Sequence, residues 1–135
     1  MKLTKILVSV ALVLFTLVAA TAIPAMADNL RCGAGWDFDA NGFTGTLNVA
    51  VDGSGNLTGT VYGNPIQGYY NNVSNEMMFV RSIGSSPAQQ QIFTGYYWRE
   101  GALDVLAGSF EGFSGSGASA GRHRFGFKAS CMIIQ

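Results

Sequence analysis

Charge is scarce in this chain. Asp, Glu, Lys and Arg together make up 12% of its 135 residues. Two of the eight basic residues, Lys2 and Lys5, fall in an N-terminal leader discussed below, so the remainder carries six bases against eight acids, a net charge near −2. A nucleic-acid binder needs a basic surface, and that balance excludes one. Histidine occurs once, at His123. General-base catalysis needs a histidine oriented by a carboxylate beside a nucleophile, whereas Arg122 and Arg124 flank this one and repel a cationic partner. One histidine and two cysteines do not make a zinc site. No nucleophile, base and orienting group fall together, so neither an enzymatic activity nor a cofactor is expected.

Cysteine is nearly absent as well, with only Cys32 and Cys131 near the two ends of the post-leader chain. The leader itself has the three parts of a secretory signal peptide. Lys2 and Lys5 form a positive start, residues 6–20 are apolar apart from Ser9 and Thr16, and Pro24 precedes Ala25-Met26-Ala27, a small-x-small cleavage site. A membrane anchor needs roughly 20 apolar residues and no such site. A lipoprotein is not expected either, because Arg31 stands directly before Cys32. Cleavage after Ala27 leaves residues 28–135 as one domain that is secreted or periplasmic and free of the membrane. In an oxidising compartment the natural state of Cys32 and Cys131 is a disulfide, with two buried thiols as the alternative. Closing a loop of about 100 residues contributes roughly 4–5 kcal/mol in the chain-entropy model.

What the chain does have is glycine, 18 residues of it, all beyond the leader. With it comes a period of two, the signature of short strands and tight turns. In Thr46-Leu47-Asn48-Val49-Ala50-Val51-Asp52 the large apolar residues share one face. The same alternation predicts strands over 35–39, 46–52, 57–62, 66–70, 76–82, 89–98, 103–111 and 122–134. In the last of these, Phe125, Phe127, Ala129, Cys131 and Ile133 oppose Arg122, Arg124 and Lys128. Asp52-Gly53-Ser54-Gly55-Asn56 reads as a hairpin turn and 112–121 (GFSGSGASAG) as a flexible loop. Every connection is short, so successive strands pair antiparallel. Eight of them in up-and-down order close into a barrel, which removes both open edges. That closure makes the first and last strands neighbours, and it brings the two cysteines together.

The motifs Gly35-Trp36, Gly55-Asn56-Leu57-Thr58-Gly59-Thr60, Gly68-Tyr69-Tyr70 and Phe93-Thr94-Gly95-Tyr96-Tyr97 span most of the post-leader chain. Their order resembles the avidin and streptavidin family of eight-stranded barrels. The resemblance implies a non-enzymatic binding protein, but the family's polar cup for biotin is not matched. Phe38 stands where the resemblance implies an Asn, Val61 where it implies a Tyr and Gly63 where it implies a Ser. A site built to hydrogen-bond a buried polar head loses most of its affinity without those partners, so biotin is not the expected ligand.

Asp37-Phe38-Asp39-Ala40-Asn41-Gly42 begins like a calcium loop, yet Asn48 stands where the bidentate Glu belongs, and Asn-Gly is a common hairpin turn. The turn is the reading adopted, with no metal site. The sequons at Asn56 and Asn72 are attributed to chance in turn-rich segments. The aromatics are more informative. A barrel of this size can fill its interior with them, or leave an aromatic cavity with a few polar groups for a small or amphipathic ligand. The candidate lining residues are Trp36, Tyr70, Phe79, Arg81, Gln89, Gln91 and Phe93. Phe79, Arg81 and Phe93 occupy places where the resemblance implies aromatic walls or their neighbours. Gln89 and Gln91 share strand parity with Phe93, and Arg81 at the mouth would favour an anionic group. The alternative is a secreted inhibitor of a hydrolase, a lysozyme or a protease, acting through the 112–121 loop and the Arg99-Glu100 turn. An interior plugged by Phe38, Phe79 and Phe93 would favour the inhibitor, and a pocket lined by Gln91 and aromatics the binder. Ile66, Tyr96 and Trp98 are expected outside, where they would leave apolar surface for a homo-oligomer.

Overall fold

The computed structural model describes residues 30–133. The leader, and Ile134 at the end of the last expected strand, lie outside the described residues. Eight antiparallel strands form one closed barrel in sequence order: β1 (Trp36–Ala40), β2 (Phe43–Val51), β3 (Asn56–Val61), β4 (Asn64–Asn71), β5 (Glu76–Ser82), β6 (Gln90–Glu100), β7 (Leu103–Ser114) and β8 (Gly121–Met132). Closure is made where β1 pairs with β8, from Asp37 opposite Ser130 to Ala40 opposite Phe127. Cys32 and Cys131 meet beside that seam as a disulfide, with Cα atoms 6.4 Å apart.

The alternation read from the sequence sorts the faces. Leu47 and Val49 of β2 are buried, as are Phe127 and Ala129 of β8, while Lys128 faces out. Asn41 and Gly42 both hold positive φ, and the Gly42 amide donates to Asp39 Oδ1 at 2.8 Å. Asn41-Gly42 is therefore a two-residue hairpin turn joining β1 and β2.

Three expectations need correction. Ile66 is inside, 2% exposed, because it shares strand parity with Tyr70; Tyr96 and Trp98 do face solvent. The 112–121 loop is shorter than expected, since β7 runs on to Ser114 and Gly112 pairs with His123. Only 115–120 connects the strands, with a 3₁₀ turn over Gly117–Ser119. Finally, Gln89 is not in a strand. Pro87 opens a 3₁₀ turn over Pro87–Gln89, and the Gln89 side chain accepts from the Ser86 amide and hydroxyl.

The two ends of the barrel differ. One, the base, carries the turns 52–55, 72–75 and 101–102 together with the disulfide. The other, the mouth, carries the turns 41–42 and 62–63 and the loops 83–89 and 115–120. Arg99 and Glu100, which end β6 and do not form the expected turn, and the 115–120 loop thus sit at opposite ends of β7, separated by about 35 Å of strand. They cannot form one contact surface, so the inhibitory surface expected from the sequence does not exist as a unit.

Candidate functional site

The waist of the barrel is filled. Phe38, Phe79 and Phe93 are each 2% exposed or less. Phe93 stacks between Phe79 and Phe110, with centroids 4.9 and 4.8 Å away, and meets Phe127 edge-on at 5.3 Å. Offset-stacked and edge-to-face arrangements of this kind are the favoured packings of aromatic rings. Phe79 and Phe93, expected to line a cavity, are the plug beneath one.

Below the plug, Trp36 and Tyr70 belong to the base. The Trp36 indole N–H donates to the Cys32 carbonyl at 3.0 Å, and the Tyr70 hydroxyl bonds Asn75 Oδ1 at 3.0 Å. Both rings pack edge-on against Tyr97. Arg31 reaches in beside them, its Nε donating to Asp104 Oδ1 at 2.8 Å and its backbone amide to Oδ2 at 3.1 Å. Asp104 is fully buried, so the pair bolts the N-terminal segment across the base.

Above the plug lies an open cavity of about 290 Å³, lined by Ala40, Phe43, Thr44, Tyr62, Arg81, Gln91 and Phe110. Arg81 and Gln91 are direct cross-strand partners on β5 and β6, and Arg81 Nη1 donates to Gln91 Oε1 at 2.8 Å. Arg81 Nη2 donates to Asn64 Oδ1. The guanidinium carbon lies 4.8 Å from the centre of the Tyr62 ring. Burial lowers the Arg81 pKa from its ordinary value, and the Tyr62 hydroxyl's own shift, upward, also comes first from burial. Arg81 Nε is buried with no partner. Of the residues expected at the site, the structure brings Arg81 and Gln91 together at the mouth. It places Phe79 and Phe93 under them, Trp36 and Tyr70 at the far end, and Gln89 in a surface loop.

Tyr62, Phe43, Asn64, Ala40 and Phe110 were not expected there. Tyr62 carried one usable signal, since Tyr62-Gly63 fills a two-residue hairpin turn in which both φ are positive, 50° and 76°. Asn is the usual first residue of such a turn. The edge of the Tyr ring abuts Gly45, where an added Cβ would sit 2.2 Å from Tyr62 Cδ1, and its hydroxyl donates to the Phe43 carbonyl.

Other surfaces offer less. A depression of about 430 Å³ at the base is lined by Asp52, Ser54, Tyr69 and Asn71 among others. The Asp52 and Asn71 carboxylate and amide oxygens already serve their own turns. His123 is exposed, its Nε2 3.3 Å from the Ser119 carbonyl, and no cluster of metal-ligating side chains occurs among the described residues.

No protein-family model and no curated protein matches the sequence. Solved structures match in fold. The rhizavidin–biotin complex aligns with a TM-score of 0.51 at 17% identity, covering 78% of this chain and 99% of that one. Rhizavidin itself gives 0.50 at 18% identity, covering 81% and 95%. Apo shwanavidin gives 0.50 at 15% identity, covering 74% and 99%. The barrel is avidin-like in architecture.

Proposed function

We propose that this chain is an exported, non-enzymatic binding protein that holds a small ligand in the mouth of its barrel. The leader and the disulfide support export. The observation that carries the reading is the mouth cavity of about 290 Å³, floored by the phenylalanine plug and fitted with convergent polar groups on aromatic walls. Ligand sites have that construction, and the volume is at the small end of their range. One of the similar structures is a rhizavidin–biotin complex, but here Phe38 and Val61, which stand where the resemblance implies the polar cup, are buried in the filled interior. Biotin does not suit this mouth.

The test is native mass spectrometry of protein recovered from the exported fraction, wild type beside Ala40→Leu. Ala40 lines the cavity and is 3% exposed, so the larger side chain fills the mouth from its floor. A small bound mass in the wild type that is lost in the variant, with the melting transition retained, is the expected result. A bound mass that survives Ala40→Leu places the ligand elsewhere.

The filled waist also supports a second reading, inhibition of a secreted hydrolase. The 115–120 loop and the half-exposed Phe113 at the mouth would carry it alone, without Arg99-Glu100.

A further inference from the structure

The mouth holds a cation that its own fold leaves unmatched. A guanidinium has five N–H donors, and Arg81 uses two of them, on the amide oxygens of Gln91 and Asn64. The ion pairs among the described residues are Arg31–Asp104 and Arg124–Glu111, and neither involves Arg81. A half-buried charge with only neutral partners is costly to keep. The surroundings are nevertheless built to keep it. Tyr62 supplies a flat ring under the guanidinium while held at φ 50°, a backbone conformation that strains a non-glycine residue. Gly45 supplies the space for that ring. Backbone strain of this kind persists where the surroundings over-determine it, and it clusters at binding sites.

The two amides add a second indication. Gln91 and Asn64 both turn their oxygens to Arg81, so each is left with its NH₂ as donor. Both amide oxygens beside the guanidinium are thus engaged by it, and their NH₂ groups are donors like it. The remaining walls are Ala40, Phe43 and Phe110, apolar and mostly flat, with Thr44 beside them and Phe43 71% exposed at the rim.

We infer that the mouth takes a small carboxylate on a flat apolar body, with the carboxylate seated on Arg81 and the body against Phe43 and Phe110. This rests on the mouth being the ligand site. A carboxylate accepts from a guanidinium in the geometry that makes charge-assisted hydrogen bonds strong, and it supplies the acceptor that Arg81 lacks. A cationic ligand would be repelled by the guanidinium. A neutral one would leave the charge as unmatched as before.

The experiment titrates the ¹⁵N-labelled exported protein with benzoate, benzamide and benzylammonium, following the backbone amides and the Arg81 Nε–H. Benzoate is expected to move Arg81 Nε–H and the amides of Tyr62 and Gln91, to bind about tenfold or more tightly than benzamide, and to weaken as salt is added. Arg81→Gln should erase the preference for benzoate, and Arg81→Lys should keep part of it. The salt dependence of the wild type serves if Arg81→Gln does not fold. Benzamide binding as tightly as benzoate at the same amides overturns the carboxylate inference and leaves the mouth standing as the site. Failure of all three probes to move any mouth amide overturns the site itself, and the inference with it.

Discussion

Each end of the barrel keeps an arginine out of full solvent, and the two are handled in opposite ways. At the base, Arg31 meets a carboxylate, Asp104, through both its side chain and its backbone amide, and its chain neighbour Cys32 is joined to Cys131. The Asp104 hydrogen bond holds the Arg31 pKa above its ordinary value, whereas at the mouth burial pushes that of Arg81 below it. Charge at the base is spent on closing the chain ends. Charge at the mouth is held ready on a strained tyrosine with no carboxylate opposite. The same residue type closes the structure where its partner is internal, and carries the proposed binding site where no carboxylate faces it.

The largest effect that would break this contrast is loss of the disulfide. It closes a separation of 99 residues, for which the chain-entropy model gives about 4–5 kcal/mol. Replacing both cysteines with serine should lower the unfolding free energy by that amount. It is read from a lower guanidinium midpoint and a slope at or above that of the wild type, because the uncrosslinked unfolded chain is less compact. The mouth amides of Tyr62 and Gln91 should keep their chemical shifts below the transition, because the plug separates the two ends. A loss under about 1 kcal/mol would mean that the base is held by Arg31–Asp104 and packing instead.

A smaller effect, near zero by cancellation, is expected from Tyr62→Asn. Asn suits the positive φ of the turn and gains of order 1 kcal/mol there. The lost edge-on ring contact with Phe38, at 5.5 Å, and the lost hydroxyl bond to the Phe43 carbonyl together cost a comparable amount or slightly more. Chemical denaturation should place the variant within about 1 kcal/mol of the wild type. A loss above about 3 kcal/mol would make Tyr62 part of the core and not a platform for Arg81.

The sequence made the barrel readable because parity is a local property. Leu47, Val49, Phe127 and Ala129 fell on the buried face from alternation alone, and β5 has the bounds expected of it. Parity tells inside from outside but not height along the axis. Trp36, Tyr70, Phe79 and Arg81 all point inward, yet they lie at the base, in the plug and at the mouth. Height depends on register, which the stagger of all eight strands sets jointly. That is why Arg81 and Gln91, direct partners across one hairpin, could be associated in advance, while Ala40, Phe43, Asn64 and Phe110 from other strands could not. The misplacement of Ile66 was of another kind, since the alternation that buries Tyr70 buries Ile66 as well. Gln89 was lost to a proline whose 3₁₀ turn interrupts the period before the strand begins.

The smallest effect concerns a carboxylate at the base that serves its own turn. Asp52 accepts from the Asn56 side-chain amide at 2.8 Å, the Asn56 backbone at 2.9 Å and the Ser54 backbone at 2.8 Å. Those bonds, the Asn56 side chain foremost, lower its pKa below the ordinary 3.8. A carboxylate depressed by folding stabilises the native state fully above the ordinary pKa. That contribution is lost as pH falls through the lowered value. Asp52→Asn should therefore be slightly less stable than the wild type at about pH 6, and the gap should narrow as the pH is taken below 3.8 toward about 2. Urea midpoints of both proteins at the two pH values measure it. A gap of equal size at both would assign the turn's stability to hydrogen bonding that an amide reproduces poorly at any pH. A gap that narrows ties it to the charge, as the internally satisfied chemistry of the base requires.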